Sequence, residues 1–255
     1  MSEATLQLRG GSCSSLSLSA NTILTMLPCD MPDFEKRVIL HLCADSGSDT
    51  WPYHMDPDYE VIRIGEAIGV ENFTLADKDY VVSGIVANPV CTNFSVAKYG
   101  NYFGGGKREG PDSSDLWMVH ECIRIIEEAQ MQGDLDWYVI ENPATGRLRD
   151  FLGNPTHSYQ PWQYGDPWTK RTGLWGDFTM PPPLFTDWDS VPKNPALYAR
   201  PGRKPSLAFM HKSAAKNIPA FVKCFEEGLE YPATDADFRS LAPQGFAHEF
   251  KKYNY

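Results

Sequence analysis

Four short apolar runs, separated by polar segments, are the clearest pattern in the chain. They are Val38–Leu42, Tyr59–Ile64, Tyr80–Val86 and Trp137–Ile140. Apolar runs of this length without strict polar alternation are typical of strands that are buried on both faces of a parallel sheet. The pattern therefore predicts an α/β protein with a doubly wound, mostly parallel, Rossmann-like sheet.

One amphipathic helix is predicted before the fourth run. Its apolar stripe consists of Leu116, Val119, Ile123 and Ile126. Residues 112–115 offer side-chain oxygens that cap a helix start, and Gly133 stands where a helix would end. A helix between two buried strands is the connection that a parallel sheet needs.

The chain divides into three predicted parts. Residues 1–33 form an N-terminal extension, either a β-hairpin that turns at Gly10-Gly11 or a flexible segment. Residues 34–180 form the central α/β domain. Residues 181–255 supply Pro-rich loops and C-terminal helices, which we expect to pack back on the same domain.

Composition narrows the class of protein. The 255 residues carry a net charge of -10, which argues against non-specific coating of nucleic acid, because such coating needs Lys and Arg on the phosphates. The six cysteines are scattered without a CxxC pair, as expected for reduced thiols in the cytoplasm. No secretory leader, membrane span or metal-binding motif is predicted. The oligomeric state cannot be deduced from these features.

Two strand ends carry the candidate chemistry. In open α/β sheets, ligands bind at the carboxyl ends of the strands. Asn88-Pro89 leads to Cys91 after the third run, and Glu141 opens a second Pro turn after the fourth run. A thiolate adds to an electron-poor ring carbon, and a carboxylic acid protonates a ring nitrogen to assist that addition. Taken singly, Cys91 also fits a buried structural cysteine, and Glu141 also fits a turn cap.

Over residues 38–176 these motifs together resemble the cytosine-5 DNA methyltransferase family, particularly its small phage-type members. The matching segments are Leu42–Ser48, Asn88–Ser95, Glu141–Pro143, Gln163–Trp175 and, beyond that range, Ser240–Ala247. The resemblance implies that Cys91 attacks C6 of the cytosine and that Glu141 engages its N3 edge. Arg171, or Lys170, would lie near the base or a phosphate. The Gly-rich residues 99–110 would close over the substrate.

The resemblance also implies a cofactor, S-adenosyl-L-methionine (AdoMet), and a substrate, either DNA or a pyrimidine nucleotide. The residues expected to bind AdoMet are Cys43, Asp45, Gly47, Ser48, Glu66, Asn88 and Pro89. No large target-recognition domain fits between the last motifs. If the chain is phage-encoded, it would act in the host cytoplasm, and no membrane partner is expected.

Two alternatives stay open at this point. The loop after the first strand keeps only Gly47 of the family's glycines, which favours a binding or decoy protein that has lost turnover. Asn88-Pro89-Val90-Cys91 also half-matches the Asn-Pro-Pro-Tyr loop of amino-methyltransferases. An aromatic residue is expected there at the position of Cys91, and Glu141 has no role in that chemistry.

Overall fold

The computed structural model describes residues 36–44, 46–95, 116–198 and 202–255. Residues 36–255 form one compact unit. The predicted N-terminal hairpin, Asp45 and the Gly-rich residues 99–110 lie outside the described residues, as do the capping residues 112–115. The three-part division of the chain stays a prediction.

The described residues form a six-stranded mixed sheet. Its strands are β1 (Arg37–Leu42), β2 (Tyr59–Ile64), β3 (Val82–Ala87), β4 (Trp137–Pro143), β5 (His157–Tyr159) and β6 (Thr172–Asp177). The strand order is β2-β1-β3-β4-β6-β5. The first four of these are mutually parallel, whereas β6 runs antiparallel to both β4 and β5. The four predicted strands are confirmed, and the sheet is consistent with a Rossmann-like fold.

Six α-helices occur in the described parts of the chain. They are α1 (Trp51–His54), α2 (Trp117–Gln132), α3 (Arg149–Leu152), α4 (Pro219–Glu226), α5 (Asp235–Ser240) and α6 (Gln244–Tyr253). The predicted long helix is confirmed as α2. It ends where the sequence indicated, because Gly133 adopts a left-handed conformation with φ 95° that costs little without a Cβ.

Each face of the sheet has its own apolar core, because side chains of β1 alternate between the two faces. Val38, Leu40 and Leu42 pack in a cluster that includes the buried side of α2. Ile39 points the other way, into a cluster with Trp137 and with Phe250 of α6. No helix in the described ranges is long and apolar enough to cross a membrane.

The C-terminal residues are tied to the loop that follows β1. The Ser48 hydroxyl accepts a hydrogen bond from the Ala242 amide at 2.9 Å, and the Gln244 side chain donates to the Ser48 carbonyl at 3.1 Å. Ser48 and Gln244 are both buried. Buried hydrogen bonds of this kind hold the loop after β1 against the start of α6.

Candidate active site

The pairing of β3 with β4 brings the two Pro turns together. Ala87 lies opposite Ile140 at the carboxyl ends of these parallel strands. The chain beyond Ala87 and the Glu141 side chain therefore leave the sheet at neighbouring points. The buried Asn142 side chain then donates to the Pro89 carbonyl at 2.8 Å and clamps one turn to the other.

Cys91 begins a three-residue 3-10 helix, and hydrogen bonds within this turn and from Arg147 hold its backbone. The amides of Phe94 and Ser95 donate to the Cys91 carbonyl at 3.0 and 2.8 Å. Phe94 is buried in the core, and its carbonyl accepts from the Arg147 amide at 2.7 Å. Cys91 itself is exposed. The thiol is therefore presented on an anchored turn, which does not fit a buried structural cysteine.

Asn88 links the two carboxyl groups of the site. Its Nδ2 donates to Glu141 Oε2 at 3.3 Å and to Asp49 Oδ1 at 3.4 Å. Its Oδ1 lies 2.8 Å from His41 Nε2, and His41 Nδ1 lies 2.9 Å from the Thr50 hydroxyl. His41 is buried on β1. This chain of contacts fixes the Asn88 amide, so that its two N–H groups face the carboxyl groups.

Lys170 provides the positive charge nearest to Glu141 among the described residues. Its Nζ lies 4.0 Å from Glu141 Oε1, and both side chains are largely buried. Arg171, the first choice from the sequence, is exposed, and its backbone carbonyl accepts from the Ala144 amide at 3.0 Å. The structure thus brings Lys170, the second choice, to Glu141.

The electrostatics of the site raise the pKa of each of its three acidic groups. Burial raises the pKa of Glu141, and the negative charge of Asp49 raises it further, while Lys170 opposes both effects. Burial also raises the pKa of Asp49. The pKa of the Cys91 thiol is raised, first because the surrounding protein removes part of its hydration and second because Glu141 is close, whereas Lys170 lowers it.

The loop after β1 has two residues in the left-handed region, Cys43 with φ 58° and Gly47 with φ 71°. A Cβ on Gly47 would stand 2.8 Å from Arg63 Nη1, so only glycine combines this backbone with this packing. Beside the loop, a cavity of about 190 Å³ is lined by residues that include Gly47, Trp51 and Arg63. It lies next to the loop that continues from the carboxyl end of β1.

The other predicted cofactor residues are placed differently from one another. Cys43 Sγ lies 3.6 Å from Cys122 Sγ on α2, so its side chain is directed towards the core. The Ser48 hydroxyl is already bound within the protein. Glu66 is exposed in the turn after β2. The structure therefore groups Asn88, Cys91 and Glu141, but it gives Cys43 and Ser48 internal partners.

Three residues of the site were missed by the sequence reasoning: His41, Asp49 and Tyr159. His41 carried a signal, since it is the one polar residue in the apolar run Val38–Leu42. Asp49 and Tyr159 line a cavity of about 20 Å³ together with Glu141, which is room for a single water molecule. Their proximity depends on the strand order, which no local motif encodes.

The fold and the site together define a Rossmann-like α/β protein with a thiol and a carboxyl group at adjacent strand ends. No family model matches the chain. It is 28% identical over 102 residues to the Probable DNA (cytosine-5)-methyltransferase of Frog virus 3 (isolate Goorha). The match covers 36% of this chain and 44% of that relative, so the chain spans less than half the relative's length. Among the described residues, no group of His, Cys, Asp and Glu is arranged to hold a metal ion.

Alkylation of Cys91 should report the charge on Glu141. Above the pH at which Glu141 loses its proton, Glu141→Gln removes a negative neighbour, so the pKa of the thiol should fall and iodoacetamide should react roughly two- to fivefold faster at pH 9.5. Lys170→Met should act in the opposite direction. Peptide mass spectrometry measures modification at Cys91 itself, and Glu60→Gln on the exposed side of β2 is the matched control. Equal rates in all four proteins would show that Glu141 does not act on the thiol.

Proposed function

We propose that the protein transfers a methyl group from AdoMet to C5 of cytosine in DNA. The observation that carries the proposal is the anchored, exposed Cys91 beside Glu141 at adjacent carboxyl ends of β3 and β4. The similarity to a viral protein named as a probable enzyme of this kind supports it. A purely structural role would not explain why Glu141 is buried with a raised pKa while its nearest cation, Lys170, approaches only to 4.0 Å.

The residues would act as nucleophile and acid. The Cys91 thiolate forms a bond to C6 of the cytosine, and protonated Glu141 gives its proton to N3, which takes up the electron pair of the C5–C6 double bond through the ring. AdoMet, when bound, would supply the electrophilic methyl group that C5 accepts, and its demethylated thioether would be the leaving group. Loss of the C5 proton to a base then restores the C5–C6 double bond and releases the thiolate, and the N3 proton returns to Glu141. The cytosine must leave the duplex stack for Cys91 to reach it.

The loop after β1 suits the cofactor in part. Its positive-φ residues, Cys43 and Gly47, lie just beyond the carboxyl end of β1, where open α/β sheets bind nucleotides. Gly47 and Trp51 would border the adenosyl part from the 190 Å³ cavity. Asn88 and Pro89 would border it from the β3 side. Cys43 and Ser48 would contribute through their backbone, because their side chains are engaged elsewhere.

Although the net charge of the chain is negative, one basic segment favours binding of a polyanion such as DNA. Residues 190–225 hold seven of the 23 Lys and Arg residues and no Asp or Glu. Lys193 Nζ and Lys204 Nζ lie 4.6 and 5.0 Å from the centre of the Trp188 ring. The Thr169 amide donates to the Pro205 carbonyl at 2.9 Å, which places this segment next to Lys170. We propose that it contacts DNA phosphates close to the target base.

A binding protein without turnover is the second candidate. The internal use of the Cys43 and Ser48 side chains favours it, because both were expected to serve the cofactor. Calorimetric titration with AdoMet in the absence of DNA separates the two, since no heat would favour the binding protein. An amino-methyltransferase would instead leave N4-methylcytosine or N6-methyladenine, which nucleoside mass spectrometry distinguishes from 5-methylcytosine.

Cys91→Ser should reduce the rate of DNA methylation by at least about a thousandfold, because a serine hydroxyl is too weakly acidic to add to the ring. The measurement is tritium transfer from labelled AdoMet, followed by nucleoside analysis for 5-methylcytosine. AdoMet affinity and thermal stability should stay near the wild-type values, since the swap is nearly isosteric. Retained activity in a folded Cys91→Ser protein would refute the thiol mechanism.

The double variant Arg203→Gln, Lys204→Gln should bind DNA more weakly. The slope of the logarithm of its binding constant against the logarithm of the salt concentration should be less steep by about 1.8, because each lost phosphate contact contributes about 0.9. Both residues are exposed. Lys36→Gln with Lys78→Gln is the matched control, because these exposed lysines flank the amino ends of β1 and β3. Fluorescence anisotropy with a labelled duplex gives the slopes. An equal reduction in both double variants would mean that only the overall charge matters.

A further inference from the structure

The Asp49 carboxylate has no role in the reaction described above, yet it shares the Asn88 amide with Glu141. The Asn88 Nδ2 lies 3.4 Å from Asp49 Oδ1 and 3.3 Å from Glu141 Oε2. We propose that Asp49 is a positioning residue that keeps the proton of this carboxyl pair on Glu141. The inference rests on the proposed function and adds to it a role for Asp49, which keeps Glu141 in its protonated form.

The closeness of the two carboxyl groups disfavours the ionised form of both at once. Two carboxyl groups face each other across one amide, and Lys170 is the nearby cation, 4.0 Å from Glu141 Oε1. Like charges this close in a partly dehydrated site do not ionise together. The cavity that Asp49 and Glu141 line has room for one water molecule, so bulk solvent screens the pair poorly.

The hydrogen-bond donors favour Asp49 as the anion, against the attraction of Lys170 for a charge on Glu141. Asp49 is stabilised as an anion by three donors: Asn88, the Ser48 side chain and its own backbone amide. Glu141 accepts from Asn88 at 3.3 Å, whereas the Thr172 hydroxyl beside it donates to the Lys170 carbonyl at 3.1 Å. An aspartic acid is also the stronger acid in water. The anion therefore resides on Asp49 and the proton on Glu141, where the N3 edge of a cytosine would meet it.

The surrounding groups fix this arrangement. His41 Nε2 donates to Asn88 Oδ1 at 2.8 Å and lies 4.0 Å from Asp49 Oδ2, so β1 orients the amide that divides the two carboxyl groups. Tyr159 of β5 faces both carboxylates, and their charges help to raise the pKa of its hydroxyl, so it stays protonated. Cys91 faces Glu141 from the turn after β3.

Asp49→Asn removes the charge with little change of shape. The pKa of Glu141 should then fall, since the remaining influence of Lys170 favours its ionised form. The alkaline limb of the methylation rate should move to lower pH, with roughly tenfold loss of kcat at pH 8 and less than about twofold at pH 6. Asp49→Glu, which keeps the charge, should restore the position of the limb. Asp58→Asn, at an exposed position just before β2, is the matched control.

A second measurement does not depend on activity. Carbon-13 NMR of the Glu-labelled protein follows the titration of the Glu141 carboxyl, which is assigned by its absence in Glu141→Gln. A downward shift of this titration in folded Asp49→Asn supports the inference even if the protein methylates nothing. An unchanged titration with an unchanged pH profile would overturn the role of Asp49 and leave the proposed methylation intact. A wild type that shows the Glu141 titration but no transfer would count against the function alone.

Discussion

The parallel pairing of β3 with β4 is the constraint on which the site depends. Register alone places Ala87 against Ile140, and the next residues of both strands leave the sheet side by side. The Asn142 side chain then holds the Pro89 carbonyl, so the turn that carries Cys91 cannot drift from the strand that carries Glu141. A thiol and a carboxyl group that are 50 residues apart in the chain thus share one crevice. The rest of the fold keeps these two strands paired and covered on both faces.

The distribution of charge is the second feature on which the site depends. A chain with a net charge of -10 has nearly a third of its Lys and Arg residues in an acid-free segment of the sequence, and Pro205 of this segment contacts Thr169, next to Lys170. Within the crevice, one lysine faces two carboxyl groups, and burial keeps the pKa of both raised. A protonated acid and a negatively charged substrate are compatible there, whereas two ionised carboxylates would repel DNA. The proton that Glu141 would donate to N3 also neutralises Glu141, and a negative charge on Glu141 would raise the pKa of the Cys91 thiol.

The sequence predicted the parts of this structure that depend on local pattern. Apolar runs located β1 to β4, the apolar stripe located α2, and the Pro turns singled out Cys91 and Glu141. It did not predict β5, since three residues carry no periodicity, or the antiparallel placement of β6 beside β4. Asp49 and His41 were missed because their importance arises from contacts with Asn88, about 40 to 50 residues away. Arg171 was preferred to Lys170 because spacing alone cannot tell which of two adjacent side chains turns inward.

The central claim is that Cys91 forms a covalent bond to a pyrimidine ring, and trapping that bond tests it most directly. DNA that carries 5-fluorocytosine has no C5 proton to lose, so the thiol cannot leave after methyl transfer. Incubation with AdoMet should give a protein–DNA adduct that survives denaturant, and mass spectrometry of the digested adduct should place the nucleotide on Cys91. A protein that methylates cytosine in ordinary DNA but yields no such adduct, or one attached to another residue, would contradict the account.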